Sequence, residues 1–260
     1  MEDHIKAKIH KQGQKPVESG FEEIFIYTIK KIYSYLFKEY GPQGWWPLIK
    51  FISSPLFRDW RDGYHPQNYD YPKDQFQTFE ICLGVVLTQN TNWNNARKAL
   101  INLSERDLLT PDRILQTNRK IIREAIKSSG YFNQKTDRIQ RIAQLFLDLK
   151  SQKPTRENLL SIKGIGPESA DSILLYAYHQ PYFVVDNYTN RIINRVFGFN
   201  MSKYDEIADI FYTAYINTDF EEKTKIFNEY HALIVNHAKE FCSARPRCSG
   251  CVIRFLCRSA

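Results

Sequence analysis

The chain has 260 residues, 43% of them hydrophobic and 25% charged, with a formal net charge of +7 and an isoelectric point near 9.0. This balance excludes an intrinsically disordered chain and supplies the apolar content for one large or two smaller domains. No apolar run approaches the roughly 18 residues of a membrane span, and the excess of Lys and Arg favours an acidic partner such as nucleic acid.

In chain order, the first 17 residues, MEDHIKAKIHKQGQKPV, lack the apolar stretch of a signal peptide. A mobile polar tail is expected over residues 1–20, and a cytoplasmic location with it. Apolar residues then recur at 21, 24, 25, 29, 32, 33, 36, 37 and 40, which predicts a helix that Gly41-Pro42 stops. Residues 43–75 are rich in Pro, Asp, Tyr and Trp and read as a long loop with short turns, a common setting for function. Helical patterns resume over 76–100 and 112–150 and return after each later loop. No heptads, long repeats or low-complexity tracts interrupt them, so the class is all-α.

The stretch SIKGIGPESADSIL, residues 161–174, predicts a tight turn feeding a helix. Gly164 and Gly166 permit positive φ or close backbone approach, and Pro167 suits the first helical position. Such a turn points several backbone N–H groups outward at the positive end of a helix dipole, where they can grip a phosphate without reading sequence. Some 20 residues beyond Gly166, Asp186 ends a short apolar stretch and begins another helical pattern, the place of an N-cap.

Near the C-terminus Cys242, Cys248, Cys251 and Cys257 follow the spacing C-x5-C-x2-C-x5-C. In a reducing compartment such clustering points to metal before disulfides. A single short knuckle between two longer arms favours an iron–sulfur cluster over zinc, with zinc and disulfides as the alternatives. Arg245, Arg247, Arg254 and Arg258 stud this segment and suit either phosphate contacts or a solvated basic face. Cys82, within FEICLGVV, is expected as a buried core thiol.

Taken together, LTQNTN (87–92), SGYFNQK (129–135), IKGIGPESA (162–170), VVDNYTNRI (184–192) and the four cysteines resemble the helix–hairpin–helix DNA glycosylase superfamily, whose iron–sulfur prototype is endonuclease III. The resemblance spans roughly residues 70 to 257. It implies a two-lobed all-α fold with a C-terminal cluster loop. Residues 70–180 would form a helical bundle with the helix–hairpin–helix at about 156–178, and residues 21–69 with 181–260 the cluster lobe. It further implies a [4Fe–4S] cluster on the four cysteines and a monomer acting on double-stranded DNA, associated with the nucleoid in a prokaryote. DNA contacts would come from Gln89, Asn90, Gly164, Ile165 and Gly166, with Gln89 entering the gap left by an extruded nucleotide. Asp186 takes the position of the catalytic aspartate. The first cysteine interval departs from the family pattern, with five intervening residues where the family has six.

Two further features narrow the expectation. Bifunctional members carry a lysine at the position of Glu168, and its amine attacks the sugar; a carboxylate cannot form that Schiff base. A monofunctional enzyme is therefore implied, with water as the final nucleophile. WWP (45–47), FEICLGVVLTQNT (79–91) and the glutamate in the hairpin resemble the 3-methyladenine DNA glycosylase III branch. Trp45, Trp46 and Phe79, with Glu168, would then line the base pocket, where aromatic faces favour a cationic alkylated purine. A base that leaves from a cationic state needs no strong general acid, and His231 and His237 read as structural. Release of another lesion, such as a mismatched pyrimidine, is the alternative substrate, and a non-catalytic iron–sulfur DNA-binding protein the alternative class.

Overall fold

In a computed structural model of the chain, the described residues are 19–49, 63–150 and 152–260, and most of the expected N-terminal tail lies outside them. The helices are α1 (Ser19–Tyr40), α2 (Gln75–Thr88), α3 (Trp93–Ser104), α4 (Pro111–Gln116), α5 (Arg119–Ala125) and α6 (Phe132–Asp148). They continue as α7 (Arg156–Leu160), α8 (Pro167–Ser172), α9 (Asn187–Phe197), α10 (Tyr204–Ala214) and α11 (Phe220–Glu240), with no strand among the described residues. A π-helical turn, Ile173–Ala177, prolongs α8.

Local chemistry sets the starts of these helices. Asp74, Asn92, Thr110 and Asp219 each accept a hydrogen bond from a first-turn amide, and Thr155 with Asn158 forms a reciprocal capping box. Each such cap stabilises its helix by about 1 kcal/mol. The centre of the fold is α2, buried continuously from Phe79 to Leu87, which accounts for its lack of a polar face. Around it pack α3, α6 and the π-helical turn, with α4 and α5 against α6. On the other side α1 packs on α10 and α11, and α9 on α11. The π-helical turn touches both α2 and α11, and so joins the two groups.

Two buried polar ties fix the parts that matter below. Lys135 is wholly buried, and its Nζ donates to the Leu87 and Ser129 carbonyls at 2.8 and 2.7 Å, holding the end of α2 in place. Burial, with nearby Arg138, pushes this amine down to about 8. Arg156 grips both carboxylate oxygens of buried Asp171 at 2.6 and 3.1 Å, clamping α7 to α8 across the hairpin.

Candidate active site and nucleic-acid interface

The turn between α7 and α8 is the expected hairpin, but its two glycines do different work. Gly164 has φ +94°, and a Cβ there would run into the Arg138 guanidinium. Gly166 has φ −96° and open space where a Cβ would sit; it is the N-cap of α8, with Pro167 in the first turn. The positive φ expected of either glycine is therefore confined to Gly164. Ile165 buries its side chain in the core, leaving only its backbone for a ligand. Gln89 lies against the same turn. Its Nε2 donates to the Gly164 carbonyl at 3.2 Å and to Ser169 Oγ at 2.8 Å, while its Oε1 accepts from Arg138 Nη1 at 2.6 Å. Asn90, exposed with φ +52°, completes a small cluster of loop and hairpin.

Asp186 begins α9, and its Oδ1 accepts from the Thr189 amide at 2.7 Å. Its Oδ2 lies 3.6 Å from His231 Nε2, and only 14% of the side chain is exposed. Burial by itself would push this carboxyl up; His231 and the Thr189 groups outweigh it and hold Asp186 below the ordinary aspartate range. Glu168, in the first turn of α8, moves the other way. Lost solvation, then the neighbouring Asp186 charge, push it up, with His231 opposing. Two carboxyl groups with values driven apart are the usual preparation for distinct roles in one reaction.

An aromatic wall stands beside them. Trp45 contacts Trp46, Tyr64, Tyr176 and His231 with ring centroids 5.6 to 6.5 Å apart, and Trp46 contacts Tyr176 and Trp93 at 5.4 and 5.9 Å. The tryptophan loop is held from α11: Glu229 accepts from the Gln43 and Gly44 amides, and Asn228 Nδ2 donates to the Trp45 carbonyl. Trp46 is buried, whereas Trp45 is partly open. Phe79 departs from expectation. It is 0% exposed on the core side of α2, 5.4 Å from Phe146, and no ring contact joins it to Trp45 or Trp46 among the described residues. Tyr176 and Trp93, which no motif marked, share the wall instead. His231, read from sequence as structural, also brings Nε2 to 3.6 Å from Asp186 Oδ2.

The cysteines gather at the far ends of the same helices. Cys242, Cys248, Cys251 and Cys257 line one cavity with Arg195, His237 and Phe241. Arg195 Nη1 donates to Cys242 Sγ at 3.2 Å, and His237 Nε2 lies 3.3 Å from Cys251 Sγ. All four are free thiols, and no group of three His, Cys, Asp or Glu among the described residues is arranged to hold a metal ion. Arg247 turns back onto the Glu240 carbonyl and the Phe241 ring, while Arg245, Arg254 and Arg258 are exposed. Cys82 is buried, as expected, and burial raises its thiol to about 12.

Comparison with known proteins bears on this arrangement. The family model described as HhH-GPD superfamily base excision DNA repair protein matches residues 83–213. A Methanocaldococcus jannaschii protein provisionally named a DNA repair glycosylase is 35% identical over 254 residues, 93% of this chain and 99% of its own length. Endonuclease III of Sulfolobus acidocaldarius is 32% identical over 80% of this chain and 96% of its own. Among solved structures, the H. pylori 3-methyladenine DNA glycosylase bound to 1,N6-ethenoadenine aligns with a TM-score of 0.61 at 26% identity. The alignment covers 82% of this chain and 97% of that one.

Proposed function

The chain belongs to the HhH-GPD superfamily of base excision DNA repair proteins, and from that premise we propose that it is a monofunctional DNA N-glycosylase that releases an alkylated purine such as 3-methyladenine. The observation that carries the reading is Asp186: an ionised carboxylate at a helix N-terminus, beside His231 and the Trp45–Tyr176 wall. The similarity to a 3-methyladenine glycosylase structure holding a modified adenine supports the substrate class.

The damaged nucleotide leaves the stack and enters the cleft between the two helix groups, because chemistry on a base requires extrusion. The hairpin and Gln89–Asn90 hold the duplex, with backbone amides on a phosphate and Gln89 released from Arg138 into the gap. The C1′–N bond then breaks with both electrons leaving on the base, which departs neutral if it was alkylated and cationic. Asp186 stabilises the oxocarbenium-like sugar and orients water, whose oxygen bonds to C1′ while its proton passes to the carboxylate or to solvent. Glu168 cannot supply the amine of a lyase, so the abasic strand stays intact.

We also propose that the four cysteines hold a [4Fe–4S] cluster. The chemistry of the donors supports this reading: four free thiols border one cavity, with Arg195 and His237 beside two of the sulfurs. Thiolate ligation there would close the C-terminal loop onto α9 and α11. A single chain working in the cytoplasm on double-stranded DNA completes the reading. No helix among the described residues is long and apolar enough to cross a membrane.

Base release from a panel of duplexes, each bearing one lesion, tests the proposal. Release of 3-methyladenine with an intact abasic strand and no borohydride-trapped adduct is expected. Release of uracil or thymine from mismatches, with methylated DNA ignored, would overturn the substrate class. A trapped adduct would overturn the monofunctional mechanism, and no release from any duplex would leave a non-catalytic DNA-binding protein.

A further inference from the structure

We propose that His231 is a positioning residue for Asp186, with the Tyr176 hydroxyl fixing its ring so that Nε2–H faces the free carboxylate oxygen. This deepens the glycosylase reading and rests on it for its catalytic consequence.

The geometry starts from burial. His231 is 5% exposed on α11 and Tyr176 is 1% exposed in the π-helical turn, with Tyr176 Oη 2.6 Å from His231 Nδ1. The Trp45 ring meets the imidazole edge-on at 5.6 Å. Turning the ring over would break the Tyr176 contact, so the two nitrogens keep separate tasks. The hydroxyl has two acceptors within reach, Nδ1 and the Asn228 carbonyl at 3.5 Å. Donation to Nδ1 leaves the neutral ring with its proton on Nε2. Donation to Asn228 leaves the hydroxyl to accept Nδ1–H, either from an imidazolium, which also carries Nε2–H, or from a neutral ring whose bare Nε2 would set a lone pair against the ionised Asp186 carboxylate, an arrangement that charge disfavours. In the two states that suit an ionised Asp186 Nε2 presents a donor, and it has no hydrogen-bond partner at normal distance.

That donor faces one particular oxygen. Asp186 Oδ1 is committed to the Thr189 amide, so Oδ2 is the oxygen left for the sugar or the water, and His231 Nε2 is 3.6 Å from it. This is longer than a hydrogen bond and shortens to one with a small movement of either side chain, as happens when catalytic groups tighten around substrate. Around His231 stand Asp186 at the start of α9, Glu168 on α8 and Tyr176 in the π-helical turn, with Glu229 of α11 acting on Tyr176. His231 is among the groups holding Asp186 low against its burial, which agrees with the geometry.

The test uses His231→Ala, His231→Asn and Tyr176→Phe in the full chain, with two readouts. Single-turnover base release from a 3-methyladenine duplex should slow on the order of tenfold to a hundredfold in His231→Ala, the scale of one charge-assisted hydrogen bond. Affinity for a duplex bearing an uncleavable abasic analogue should stay unchanged. The acid limb of the pH–rate profile should move to higher pH. His231→Asn, which keeps an N–H, should recover part of the loss, and Tyr176→Phe should shift both quantities the same way by less. The second readout is carboxyl-carbon NMR of Asp186 in the unliganded protein, whose titration should move up in His231→Ala. If the titration and the acid limb both stay where they are in wild type, the proposal is overturned. If the titration moves but wild type releases no base, His231 still positions Asp186 and the glycosylase reading is what fails.

Discussion

Helix α11 carries two histidines six residues apart, and each brings Nδ1 to a tyrosine hydroxyl and Nε2 to a different chemistry. His231 pairs with Tyr176 at 2.6 Å and looks toward Asp186; His237 pairs with Tyr40 at 2.9 Å and looks toward Cys251. Six residues carry the chain about 9 Å along a helix and about 240° around it, so one helix can serve two separate centres. The partner helix α9 is used the same way. Its N-terminus is capped by Asp186, and its C-terminal turn, through Arg195, binds Cys242 and the backbone of Ser243 and Ala244. The centres differ in electrostatics. The first collects the Asp186 and Glu168 carboxyl groups around the His231 ring. The second is an apolar seat where burial pushes His237 down to about 4, leaving a neutral ring beside sulfur.

The largest effect that separates the two ends comes from Asp186→Asn. Asparagine still caps α9, so thermal stability should fall by no more than about 1 kcal/mol. The charge facing the sugar is lost, and turnover should drop by at least ~10²-fold, the scale of one transition-state electrostatic contact. The variant should keep its iron. A fall in iron content together with activity would mean that the two ends are not independent. The reciprocal change is Cys251→Ser. Wild type purified without oxygen should be brown with about four irons per chain, while the variant loses iron and solubility. One zinc and no iron in wild type would overturn the cluster.

The two ends were unequally legible in the sequence. The cysteine end stands out because its four thiols fall within 16 residues of the chain, and spacing alone records that they border one cavity. The N-cap position of Asp186 was legible through VVDNYTNRI, and the hairpin through Gly164, whose positive φ tolerates little else. His231 was not, because it lies 45 residues beyond Asp186 on a helix whose pattern reads as ordinary core. Only the packing of α9 on α11 brings the two together. Tyr176 was hidden likewise in an apolar run, and no periodicity marks the π-helical turn that places it. For Phe79 motif position suggested a pocket wall, while the structure sets it in the buried stretch Phe79–Leu87 of α2 with its ring against Phe146.

A smaller effect compares the tyrosines. Tyr40→Phe leaves His237 Nδ1 without its hydroxyl, a buried group whose lost partner costs about 1–3 kcal/mol. Denaturant unfolding should show this loss while single-turnover base release stays at the wild-type rate. Tyr176→Phe should lower stability on a similar scale and slow base release as well. Equal effects of the two variants on catalysis would erase the distinction drawn between the ends of α11.

The smallest and sharpest effect lies in the pH dependence of stability, where Asp186 and Glu168 oppose each other. Asp186 is held below its ordinary value, so the stability it contributes is present above that value and lost only as pH falls through the depressed one. Glu168 is raised, so its ionised form is a burden above the raised value, relieved as pH falls toward the ordinary one. Asp186→Asn should therefore be slightly less stable than wild type at neutral pH, with the gap closing only at strongly acid pH. Glu168→Gln should be slightly more stable at neutral pH, and its gain should fade earlier during acidification. Because the Asp186 charge is one cause of the Glu168 shift, the double variant should gain less than the sum of the singles predicts. Denaturation midpoints measured between about pH 3 and 7 test all three variants. Parallel curves for the single variants would remove the opposed pH dependence assigned to the two carboxyl groups, and strict additivity in the double variant would show that they do not sense each other.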